Sequence, residues 1–214
     1  MDGGGFQMPE ISLTDFVDFL VRAGSPKVTK VRQILERPAY SPATDFWKGM
    51  REHLQSHSKG EVALDSVLDD LHSRKDRRYK GATAGYKKFL GKYKPESSFT
   101  PPTVKWHEAG LTVRVNPELG LKIAGEKHVI KLYFKDEAPT PHRLDAVLAL
   151  MRLALGSSGE RYRFAVLDVS KGRLILPTRE TPDFEALLKA EAASFMAVWA
   201  AIGGKKVAGA AAAL

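Results

Sequence analysis

The chain has 214 residues, 43% apolar and 27% charged, with a formal net charge of +8. That length can bury a substantial core as one large domain or two modest ones. No residue is a cysteine, which excludes disulfides, zinc–thiolate sites, iron–sulfur clusters and cysteine nucleophiles.

The first 95 residues carry helical periodicity. Ser12 reads as an N-cap with Asp15 three residues on, and Leu13, Phe16, Val17, Leu20 and Val21 recur at helical spacing until Gly24 and Pro26. A second helix carries Val28, Val31, Ile34 and Leu35 and stops before Pro38. Ser41-Pro42 opens a third with Phe46, Trp47, Met50 and Leu54. A fourth is expected after Gly60, through Val62, Leu64, Val67, Leu68 and Leu71, and a fifth from about Thr83. The segment 96–102 then reads as a proline- and serine-rich linker.

Period two follows. Leu111, Val113 and Val115 alternate with polar residues, as do Leu119, Leu121 and Ile123, and the turn Ala124-Gly125-Glu126 leads to a strand bearing Ile130, Leu132 and Phe134. Thr140-Pro141 starts a helix that ends at Gly156. Arg163 to Val169 and Arg173 to Leu176 form a hairpin about Ser170-Lys171-Gly172, and Thr181-Pro182 opens a closing helix. The expectation is an α+β fold: a helical region over 1–95, a linker at 96–102, a mainly antiparallel sheet domain over 103–203 in the order β-β-β-α-β-β-α, and a low-complexity tail over 204–214 that frays or forms a weak helix. The start, MDGGGFQMPE, lacks a secretory pattern, and Gly3 to Gly5 precede no phosphate-binding signature. No window is expected to reach the ~20 apolar residues of a membrane span. A cytosolic location and no membrane partner follow as expectations.

The surplus charge is concentrated. Between Arg74 and Lys94 stand nine cations (Arg74, Lys75, Arg77, Arg78, Lys80, Lys87, Lys88, Lys92 and Lys94) and one acid, Asp76; the rest of the chain is neutral. Such a stretch attracts a polyanion if it folds onto one side. Tyr79, Tyr86 and Tyr93 are seven apart with Phe89 between the last two, and aromatics among lysines are a means of stacking single-stranded bases. On a helix from Thr83, however, Tyr86, Phe89, Leu90 and Tyr93 share one face and Lys87, Lys88 and Lys92 the other, which favours core aromatics beneath solvated lysines. The dense run Arg74 to Lys80 suits phosphates or an acidic protein surface equally.

Other chemistry is sparser. His53 and His57 share a helix face, but the glutamate of a zinc-protease motif is missing between them, and His72, His107, His128 and His142 suggest no third ligand. Asp168 stands near a strand end, as an active-site acid or as a cap on the Lys171-Gly172 turn. There is no P-loop, dinucleotide-binding glycine motif or nucleophile elbow.

Leu13 to Phe19, Pro26 to Val31, Gly85 to Gly91, Asn116 to Leu121 and Ile130 to Lys135 resemble an uncharacterised bacterial protein family. That resemblance implies that both halves belong to one protein type and brings no activity or cofactor with it. Over about 111–176 the order of helix, three-stranded meander, helix and strands also resembles restriction-endonuclease-like folds, in which an acid on one strand and an acid-x-Lys pair on the next hold Mg²⁺ and the attacking water. Glu118 after Pro117, together with Lys135, matches the first acid and the lysine, but Tyr133 stands where the second acid belongs; Glu52, Asp136 or Glu137 would have to substitute. The sequence therefore points first to a non-enzymatic binder of DNA, RNA or another polyanion. The alternatives are a metal-dependent nuclease, degenerate in its acids, and a module that docks on an acidic protein. No cofactor is expected, with Mg²⁺ entering only under the nuclease alternative.

Overall fold

The structure is a computed structural model that describes residues 8–38, 45–69, 73–156, 160–177 and 183–211, without the side chains of 73–76 and 204–211. The expected caps at Ser41-Pro42 and Thr181-Pro182, together with Gly3 to Gly5, Leu71 and His72, lie outside the described residues. The fold is α+β, as the alternation of periods implies, and the chain divides into two compact units. One is formed by Met1–Ala39, Val104–Val115 and Thr181–Leu214, the other by Tyr40–Thr103 and Asn116–Glu180. Both halves of the sequence thus contribute to each unit, instead of meeting at a boundary near 96–102.

In the first unit, strand β1 (Glu10–Ser12) runs into helix α1 (Leu13–Leu20), followed by helix α2 (Ser25–Leu35). Ser12 caps α1 by accepting from the Asp15 N–H at 3.0 Å, as its spacing predicts. Strand β1 was not expected, because three residues are too few to show a period. It lies parallel to a later strand, β4, in a three-stranded sheet ordered β1-β4-β3, where β3 is Val104–Glu108 and β4 Leu111–Val115. Leu111, Val113 and Val115 turn inward, with Phe16, Phe19 and Val31 buried in the same unit. The last helix, α6 (Phe184–Ala211), buries Phe184, Leu188, Ala192 and Phe195; Phe19 and Phe195 meet edge to face at 5.1 Å.

Helix α6 takes the helical alternative for the tail and corrects the expectation that no apolar segment reaches the length of a membrane span. It runs past 203 into the low-complexity tail, because the alanines there are strong helix formers. Its segment Phe184–Gly203 is also long and apolar enough, by length and composition, to cross a membrane. Alanines spread among the larger apolar residues make up that run, which is why no apolar cluster announced it.

The second unit opens with helix α3 (Lys48–Ser58), a 3-10 helix at Leu64–Leu68 where a longer fourth helix was expected, and helix α4 (Ser73–Tyr93), which begins ten residues earlier than expected. Strand β2 (Ser97–Phe99) lies inside the expected linker. It forms the edge of a five-stranded sheet ordered β2-β5-β6-β7-β8, where flanking prolines are tolerated. The other strands are β5 (Leu119–Ile123), β6 (Glu126–Tyr133), β7 (Arg163–Asp168) and β8 (Arg173–Ile175), with helix α5 (Pro141–Leu155) between β6 and β7. That crossover makes β6 and β7 parallel while the other pairs are antiparallel. The single, mainly antiparallel sheet of the sequence reading is therefore two mixed sheets. The order helix, three-stranded meander, helix and strand is present in this unit, but its first strand is β2; 104–115 belongs to the other unit.

Helix α4 covers one face of the five-stranded sheet. Tyr79, Ala82, Tyr86 and Phe89 pack in one core with Leu119, Leu121, Ile123, Ile130, Leu132, Ala165, Leu167 and Val169. Trp47 stacks against Tyr79 at 5.6 Å and Phe134 at 4.6 Å, closing that core beside α3.

Candidate nucleic-acid interface

The basic stretch is a single helix, and its burial sorts its residues by chemistry. Tyr79, Ala82, Thr83, Gly85, Tyr86 and Phe89 are buried, whereas Arg77, Arg78, Lys80, Lys87, Lys88 and Lys92 are exposed, as is Lys94 just past the helix end. At about 100° per residue the buried positions span roughly 160° of the helix; Arg77, Lys80, Lys87, Lys88 and Lys92 occupy the remaining arc, whereas Arg78, near the helix start, falls at the angle of the buried positions. A 21-residue helix is about 30 Å long, so this face is an elongated positive strip. Arg74 and Lys75 belong to the same helix, with side chains outside the described residues.

Acidic side chains stand beside Lys87 and Arg78. Lys87 Nζ meets Asp65 Oδ1 at 2.7 Å, and Arg78 Nη2 lies 3.5 Å from Asp136 Oδ2 while its guanidinium covers the Phe46 ring at 5.5 Å. Both ion pairs are solvent-exposed and individually worth about 0–1 kcal/mol, so a phosphate competes for either cation at little cost. Lys92 folds over the Tyr93 ring at 5.0 Å.

The sequence did not associate the strip with the β7–β8 turn. Gly172, at φ +64°, is buried against α4, where a side-chain carbon would lie 2.9 Å from Lys88 Cβ. Its neighbours Lys171 and Arg173 are exposed and lie on this turn that packs on α4. Their pattern signalled only a turn, because the packing of that turn on α4 is a tertiary relationship.

The acid and lysine expected from the nuclease resemblance part company. Glu118, just before β5, is buried and accepts from Lys131 Nζ at 2.5 Å through Oε1 and from the Leu132 N–H at 2.8 Å through Oε2. Gln55 Nε2 donates to the Glu118 carbonyl at 3.0 Å. The partner of Glu118 is thus Lys131, whose side chain is only 12% exposed, and not Lys135, which is exposed two residues beyond the end of β6. Lys131 stands between the core residues Ile130 and Leu132 on β6, yet its side chain is also mostly buried. Its ammonium also donates to the Asn116 carbonyl at 3.2 Å, fastening the entry of β5 to β6.

The proposed substitutes are dispersed: Glu52 pairs with Lys48 along α3, Asp136 with Arg78, and Glu137 is exposed. Asp168 is buried beside Tyr133 across the parallel β6–β7 pair. It accepts from Ser170 Oγ at 3.0 Å, and its second oxygen lies 3.3 Å from Lys171 Nζ, so it caps the turn. His53 Nε2 donates to the Leu64 carbonyl and His57 Nδ1 to that of Val62, so both histidines tie α3 to the segment that follows it. Among the described residues, no three His, Asp or Glu side chains gather closely enough to hold a metal ion.

No family model matches the chain. Over 80 residues it is 32% identical to an adenylate kinase of Chlamydia pneumoniae, an alignment covering 31% of this chain and 38% of that protein. The chain therefore spans well under half the length of that relative. A solved structure from Eubacterium rectale, named a "putative exonuclease", shares 11% identity and a TM-score of 0.46 over 88% of this chain and 80% of that one. Neither likeness places the chain in a family.

Proposed function

We propose that the second unit binds nucleic acid, or a polyanion of similar charge density, through the exposed face of α4 and the adjoining β7–β8 turn. One observation carries this reading: a single helix gathers most of the chain's surplus positive charge and keeps Tyr79, Tyr86 and Phe89 in the core, so its exposed cations present their charge to solvent, where phosphates can reach it. Phosphate contact needs only charge and reach. The partial likeness to an adenylate kinase adds little, because the sequence has no P-loop. A nuclease centre at Glu118 is less well supported, since a metal ion there would have to displace Lys131 from a buried ion pair.

The test is a titration of fluorescent oligonucleotides at several salt concentrations. If six phosphates are contacted, log affinity falls against log salt with slope about −5 on duplex DNA. The triple variant K87E/K88E/K92E is expected to abolish binding and keep its circular dichroism spectrum; unchanged affinity would overturn the proposal.

A further inference from the structure

The shape of the strip narrows what it binds, granted the reading above. Around α4, Lys80 and Lys87 lie along one side of the exposed arc and Arg77 and Lys88 along the other, about 60–100° apart at about 100° per residue. Between these rows the outermost positions are Ala84 and Gly91, both exposed, and a side-chain carbon at Gly91 would meet nothing within 4 Å. The ridge of the helix is therefore low and neutral, and the charge stands on its flanks. At the same time Tyr79, Tyr86 and Phe89 are buried, so the face offers none of these rings for bases to stack on.

From this we infer that the ligand is the phosphate backbone of double-stranded DNA, with α4 seated along the major groove and its two lysine-bearing flanks facing the two strands. A helix is about 10–12 Å across, and the major groove of B-form DNA is about 12 Å wide. The A-form groove of double-stranded RNA is deep and too narrow for a helix. Single strands are bound largely by stacking, for which these buried aromatics are unavailable. A ridge of alanine and glycine reads no base edge, so binding is insensitive to sequence.

The experiment uses the full chain and fluorescence anisotropy with DNA duplexes about 20 base pairs long, roughly twice the reach of α4. Two unrelated duplex sequences are compared with their single strands and with the matching RNA duplex. Both DNA duplexes are expected to bind alike and about tenfold more tightly than the other forms. The Ala84→Trp variant adds bulk to the ridge without changing charge. It is expected to weaken duplex binding about tenfold while retention on heparin is unchanged, whereas a single-strand mode would gain from the added stacking surface. Equal or tighter single-strand or RNA binding, or duplex affinity untouched by Ala84→Trp, overturns the groove inference and leaves the polyanion reading standing. Absence of binding to every nucleic acid overturns both.

Discussion

Gly172 and Gly85 are in direct backbone contact: a side-chain carbon on Gly172 would lie 2.3 Å from the Gly85 carbonyl oxygen, and one on Gly85 would lie 2.0 Å from that of Val169. Neither obstacle is a flexible side chain that could swing away. Gly85→Ala is therefore expected to force the β7–β8 turn off α4 and destabilise the protein by about 3 kcal/mol, in the upper range for overpacking. Gly81 on the same helix is exposed, with nothing within 4 Å. Gly81→Ala is expected to stabilise by about 0.5–1 kcal/mol through helix propensity. Urea denaturation of the pair checks both signs.

The Glu118–Lys131 pair is mostly buried, with side-chain exposures of 9% and 12%. Lys131→Met would leave the carboxylate without its counter-ion, at an expected cost of about 3–5 kcal/mol. Adding Glu118→Gln should recover part of that loss, because the remaining group is neutral and still accepts from the Leu132 N–H. A double-mutant cycle in urea measures the coupling, and additive effects would show that the two side chains act separately.

Much of this fold was legible. The cap at Ser12, the proline-led start of α5 and the alternation of β4, β5 and β6 are local signals, and each appears where the residues place it. What was hidden depends on partners distant in sequence. Alternation shows that Leu111, Val113 and Val115 face inward, but not that their strand pairs with Glu10–Ser12 instead of joining β5. Lys131 alternates like a solvent-facing residue, and only the register Leu119↔Ile130 brings Glu118 beside it. The amphipathic character of α4 was readable from about Thr83; its first turns were obscured by the charge density of Arg74 to Lys80.

Asp15 links three elements of the first unit. It accepts from Lys30 Nζ at 2.9 Å and from Arg37 at 2.9 and 2.8 Å, and it also receives the Ser12 hydroxyl. Burial alone raises its pKa, yet the hydrogen bonds from Arg37 and Lys30 outweigh burial and hold the carboxyl well below the usual range. Its stabilising contribution is complete above the unfolded value of about 3.9 and is lost as pH falls through that value towards the folded one. Stability is thus expected to decline on acidification below about pH 4. In Asp15→Asn that decline should be shallower, from a starting stability lower by about 3 kcal/mol; chemical denaturation across pH 2–7 would record it.

Among the described residues, two buried hydroxyls make no hydrogen bond: Thr83 Oγ1 and the Tyr86 phenol. Burial pushes the Tyr86 phenol up, so it stays neutral. An unsatisfied buried hydroxyl is a net cost. Tyr86→Phe and Thr83→Val are expected to leave stability unchanged or raise it by up to about 1 kcal/mol each. A loss above that size in thermal unfolding would reveal a partner for the hydroxyl.

The first unit draws on three stretches of polypeptide separated by the two stretches of the second. During synthesis it therefore cannot close until the ribosome has passed residue 180, long after its opening helices have emerged. Those helices, with Phe16 and Phe19 on their apolar sides, must wait without their final partner α6. A nonsense codon or proteolytic nick near 180 would deprive both α1 and β4 of their cover at once, making that site a point of vulnerability to aggregation.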